Sequence, residues 1–144
     1  MSQWLDAKAS QNASYGSSIS IPLASGGSLQ LVAQQTLDLS LGTAGGTVVE
    51  FSGTVTVQQP TAAADAVISF YVIRGLTPFA GTVVYTLDQD LLATEVGPRA
   101  ISFTGSDSGA PNASSAPYSV FVTSSVAGIL RVGPESFNFT GYSS

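Results

Sequence analysis

In the string LDQDLLATE, Asp88 and Asp90 are two positions apart and Glu95 follows closely. On a strand, such a pair shares one face. Two carboxylates side by side can serve as acid and base in glycoside hydrolysis or lend oxygens to a Ca²⁺ site. The plainer reading is a solvated strand end and loop, and it is preferred here. Ser is abundant, but a Ser nucleophile needs a base beside it, and the chain has no His. A Ser–Lys pair would fall to Lys8, near the start of the chain. Asp107, in TGSDSGAPNAS, reads as a turn residue whose side chain bonds its own backbone. Asn12, Asn112 and Asn138 open Asn-X-Ser/Thr triplets, which read as chance matches in a Ser-rich chain. The Gly-rich strings ASGGS and GTAGGT lack the Lys of a phosphate loop and read as hairpin turns. No catalytic, metal or cofactor site is assigned. The expectation is a protein that is not an enzyme and needs no cofactor.

Charge narrows the partners. Nine acids face four basic residues (Lys8, Arg74, Arg99 and Arg131), for a net charge of −5. Polyanions require a basic face that displaces counterions, so nucleic acid and anionic membranes are poor partners. No apolar run approaches the ~18 residues of a membrane span. MSQWLDAKAS carries an acid and a Trp where a secretory leader needs an apolar core. The absence of Cys removes disulfides and thiolate metal sites together. Charged residues make up only 9% of the chain, against about 25% in typical domains. A surface so poor in charge suits packing against copies of itself, because few ions must be desolvated.

Around these residues the period is two. The first segment, 1–18, is small and polar and reads as an arm with a short helical turn around Trp4 and Leu5. From 19 to 144 a single domain is expected. ISIPL alternates Ile19, Ile21 and Leu23; SLQLVAQ alternates Leu29, Leu31 and Ala33; TLDLSL alternates Leu37, Leu39 and Leu41. TVVEFSGTVTVQ puts Val49, Phe51, Val55 and Val57 on one face. GTVVYTLDQ offers Val83, Tyr85 and Leu87; APYSVFVTSS offers Tyr118, Val120 and Val122. Eight to ten short strands with Gly, Pro, Ser and Asp between them mean a sandwich or barrel. The predicted fold is all-β: a two-sheet antiparallel sandwich of jelly-roll type, with an immunoglobulin-like sandwich as the alternative.

One strand poses a problem of cover. AVISFYVIRG, residues 66–75, is apolar on both faces, with Ile68, Phe70 and Val72 on one and Val67, Tyr71 and Ile73 on the other. Only one face of a sandwich sheet meets the core. The other face of this strand therefore predicts an interaction surface. The expected subunit interface comprises Trp4, Val67, Tyr71, Ile73, Phe121, Arg131 and Phe137. The Arg residues at strand ends read first as rim residues or intrachain pairs, with pairing to Glu50, Glu95 or Glu135 of a neighbour as the alternative.

The stretch APYSVFVTSSVAGILRVGPESFNFTGYSS resembles the end of the C-terminal domains of collagen-like exosporium glycoproteins. FSGTVTVQ, AVISFYVIRG and GTVVYTLDQ fit the same strand order, so the resemblance covers about residues 35–144. It implies a jelly roll of the tumour-necrosis-factor/C1q type, a tight trimer, and a place on a bacterial spore or cell surface. It also implies that the partner is another copy of the chain, with other surface-layer proteins as further candidates. No collagen-like segment precedes the domain in this sequence. A second reading is thus a fibre or appendage subunit whose arm, with SISIPL, completes a neighbour's sheet. Rival classes are a carbohydrate-binding module using Tyr15, Tyr118 and Tyr142, and a viral capsid or decoration protein. A glycosidase using Asp88 would lose activity in Asp88→Asn.

Overall fold

The computed structural model describes residues 2–59 and 64–144. Nine strands follow one another: β1 (Gln3–Ala13), β2 (Ile21–Pro22), β3 (Gln30–Leu37), β4 (Thr47–Gln59), β5 (Ala66–Arg74), β6 (Thr82–Leu91), β7 (Gly97–Asp107), β8 (Ala116–Ser124) and β9 (Leu130–Ser143). One sheet runs β1-β9-β4-β7, with β2 paired to β9; the other runs β3-β8-β5-β6. All strand pairs are antiparallel. With the short β2 set aside, chain order alternates between the sheets except at the β5–β6 hairpin, in the manner of a jelly roll. That order excludes the immunoglobulin-like arrangement.

The alternation read from the sequence fixes the inner faces. Val49, Phe51, Val55 and Val57 of β4 meet Ile68, Phe70 and Val72 of β5 and Tyr118, Val120 and Val122 of β8 in one core. Phe103 is central, with ring centroids 5.6 Å from Phe70, 5.9 Å from Tyr85 and 6.4 Å from Phe137. Gly53 of β4 makes room for this cluster. A Cβ there would lie 2.6 Å from Phe137 Cδ1 and 2.7 Å from Phe103 Cζ.

Some expected elements take another form. Residues 3–13, expected to be an arm with a helical turn, form edge strand β1, paired to β9 along its length. Only Ala13 of β1 is buried. Most of β1 is exposed, with Leu5 packed partly against the core and Asn12 on the buried Glu135, so β1 has little apolar alternation to advertise it, and its main-chain ladder to β9 makes it a strand. In ISIPL only Ile21–Pro22 forms a strand with β9, while the Ile19 and Leu23 N–H groups donate to the Val132 and Ile129 carbonyls. In TLDLSL the strand ends at Leu37, and Asp38 accepts the Ser40 N–H and hydroxyl. Leu39 then drops into the core, while Leu41 stays exposed.

Candidate functional site: the outer face of the four-stranded sheet

Directly paired residues on antiparallel strands share a face. Leu31 of β3 lies opposite Phe121 of β8, which lies opposite Tyr71 of β5, which lies opposite Thr86 of β6. This row crosses the whole sheet on the side away from the core. A row of Thr123, Ser69 and Asp88 borders it on one side. Ser119, Ile73 and Val83 border it on the other. Leu31 is 46% exposed, Val83 48% and Val67 36%. Tyr71 is half-buried, and Phe121 is nearly covered.

The segment between β5 and β6 folds back over part of this face. Ser119 Oγ donates to the Gly75 carbonyl (2.8 Å), and Gln34 Nε2 donates to the Leu76 carbonyl (3.1 Å) and to Ser119 Oγ (2.9 Å). A Cβ on Gly81 would sit 2.5 Å from Ile73 Cγ2, so this turn lies directly on Ile73. The same turn leaves Leu76 exposed and Phe79 fully exposed. The structure thus adds Leu31, Leu76, Phe79 and Val83 to the apolar surface. GLTPFAGT offered a signal: a Phe among turn residues between two strands has no core position to fill.

The expected interface residues divide. Val67, Tyr71 and Phe121 lie on this outer face. Ile73 also points outward, but it is fully buried beneath the chain's own 75–81 turn. Phe137 belongs to the core, because β9 turns that residue inward beside Phe103. Arg131 is buried too. Its Nε donates to Glu135 Oε2 at 2.9 Å, its Nη2 also donates to Glu135, and Asn12 adds another hydrogen bond to the same carboxylate. Ile73, Phe137 and Arg131 therefore contact their own chain, a correction of the expected interface. Trp4 is 64% exposed on the opposite sheet, across from Tyr142.

The three Arg residues pair within the chain. Arg99 meets Glu95 at 3.3 Å. Arg74 makes a two-pronged contact with Asp107, at 2.7 Å for each oxygen. Asp107, expected to be only a turn residue, is buried and also accepts the Tyr118 hydroxyl (2.7 Å) and the Gly109 N–H (3.0 Å). Burial acts to raise the Asp107 pKa, but the hydrogen bonds from Arg74, Tyr118 and Gly109 together outweigh it and hold the carboxyl below its usual range. Burial, and then the bond to Asp107, pushes the Tyr118 hydroxyl upward. Tyr118 therefore cannot join an exposed aromatic platform. Asp88 and Asp90 stand exposed on β6, opposite Ser69 and Val67. Glu95 is turned to Arg99 and the Leu92 N–H instead. Among the described residues no group of three acidic side chains is placed to hold a metal ion.

No protein-family model matches this sequence, and no curated protein matches it. Solved structures of infectious bursal disease virus do resemble it. The Gx strain structure gives a TM-score of 0.52 at 14% identity, over 99% of this chain and 38% of that one. The VP2 subviral particle gives 0.55 at 9% identity, over 96% of this chain and 36% of that one. The T13 viral particle gives 0.53 at 13% identity, over 99% and 36%. What they share is the fold. The chain spans less than two-fifths of the viral chains it matches.

Proposed function

We propose that this chain is a non-enzymatic structural protein that assembles with copies of itself through the outer face of its four-stranded sheet. The observation that carries this reading is the set of exposed apolar side chains on this face and its β5–β6 turn, Leu31, Val67, Val83, Leu76 and Phe79, with Tyr71 half-buried on the same face. A contiguous apolar patch is the usual mark of an interaction surface. A second copy is the favoured occupant because the chain carries so few charges to desolvate on both sides of such a contact. The solved neighbours come from virus particles, which supports an assembling module. A closed trimer is the proposed form, as the resemblance to exosporium domains implies, and an outer layer of a spore, cell or particle is the proposed location.

Light scattering at micromolar concentration tests the reading. The expected mass is three times the 14.6 kDa of one chain. A monodisperse monomer would overturn it. Electron microscopy of the same sample distinguishes a closed trimer from filaments or shells.

A further inference from the structure

The five-stranded sheet has an outer face of different chemistry. Tyr142 of β9 lies between Trp4 of β1 and Val48 of β4. The next row outward is Ala7, Thr140, Glu50 and Ser106, and the one after it is Ala9, Asn138, Ser52 and Thr104. Glu50, Ser52, Thr104, Ser106, Asn138 and Thr140 line a shallow groove of about 440 Å³. That volume lies in the range of small-molecule sites. The Tyr142 hydroxyl donates to Glu50 Oε1 at 2.6 Å and so orients the carboxylate at the head of the groove. This bond raises the Tyr142 pKa, so the hydroxyl keeps its proton.

We propose that this groove, with Tyr142 and Trp4 in the adjacent row of the same face, binds a neutral oligosaccharide. The groove offers hydroxyl and amide groups that both donate and accept, with one fixed carboxylate acceptor. A sugar presents the matching set of hydroxyls on its rim. Its apolar C–H face suits the largely exposed Trp4 indole. Anions are disfavoured by Glu50 and by the net charge of −5. An apolar peptide would find little apolar surface beyond the aromatic pair. The groove and the proposed assembly face lie on different sheets, so sugar binding and assembly are separable.

The chain has a single Trp, so Trp4 emission reports a sugar that extends from the groove onto the adjacent row. The test titrates cellohexaose, chitohexaose and mannohexaose into the full chain. The expected result is a saturable blue shift with at least one of them. Glu50→Gln should weaken that response about tenfold, the scale of one weakened hydrogen bond to a charged group, and Asn138→Ala about fivefold, the scale of a neutral one. Assembly mass should be unchanged in both. Unchanged emission with all three sugars at millimolar concentration would overturn the proposal. A shift unaffected by both substitutions would overturn it as well, since binding would then lie elsewhere. So would a changed assembly mass in Trp4→Ala, which would make this face a contact between subunits.

Discussion

Asp107 is the residue on which one end of the sandwich turns. It joins the end of β7 to Arg74 at the end of β5 and to Tyr118 near the start of β8. Removing the carboxylate strands a buried Tyr hydroxyl and takes the partner from Arg74. Asp107→Ala should cost about 3 kcal/mol, the usual scale for leaving such groups unpaired, measured by urea denaturation. The pH dependence has a definite sign. The Asp107 carboxyl titrates lower in the folded chain than in the unfolded one, where about 3.9 is usual. Its contribution is therefore complete above roughly pH 4 and is lost as pH falls through the folded value. Thermal melts of wild type should show a fall in Tm in acid that Asp107→Asn lacks, with the variant already less stable at neutral pH. The sequence showed the local half of this site, since the bond to Gly109 is a turn bond. Arg74, 33 residues away, could not be seen, because no spacing rule spans a jelly-roll crossover. Arg131, expected at a subunit interface, pairs with Glu135 of its own chain, a pairing the sequence hides for a related reason. Four residues along a strand share a face, so the pair with Glu135 was geometrically available, but whether that face was wet or buried depended on β1 and Asn12.

At the scale of elements, the strands with clear inner alternation were legible: β4, β5 and β8 have the faces expected of them, whereas Phe137 of β9 turns inward instead of toward a neighbour. β6 shows where alternation fails. A register shift opposite Val72 and Ile73 places Val83 outward, while Val84 packs against the core. One extra residue in a ladder switches faces, and nothing in GTVVYTL marks it. Gly53 is the clearest mechanical dependence among the strands. It lies where the rings of Phe103 and Phe137 cross β4, so its missing side chain is filled by its neighbours. Gly53→Ala should destabilise the fold by about 1–3 kcal/mol, the range for overpacking a tight core. Chemical denaturation checks it, with an unchanged m-value showing that the sheet itself survives. β1 is the opposite case: it contributes main-chain hydrogen bonds and little core.

For the whole molecule, the sequence raised the right question about cover and held only part of the answer. The second face of β5 is partly roofed by the chain itself, since the 75–81 turn encloses Ile73. Leu31 and Tyr71 are not enclosed in this way, although Phe121 between them is nearly covered, and the turn that hides Ile73 presents Phe79 to solvent. Local folding thus moves apolar surface outward as well as covering it. Tyr71 is the position at which assembly and folding can be told apart. It is half-buried in one chain, between Phe121 and Thr86 on a solvent-facing row. An Asp there can stay hydrated in a lone subunit, whereas burial against a second copy would desolvate an unpaired carboxylate at a cost of several kcal/mol. Tyr71→Asp is expected to reduce the mass in solution to that of a monomer while Tm stays within about 4 °C of wild type, a change of roughly 1 kcal/mol. Loss of cooperative melting would instead make Tyr71 part of the fold. Phe79→Ser is the companion test, because a fully exposed ring supports nothing in its own chain. If it too weakens assembly without lowering Tm, the contact extends from the sheet onto the turn, and the segment that hides Ile73 is also the segment that reaches the neighbour.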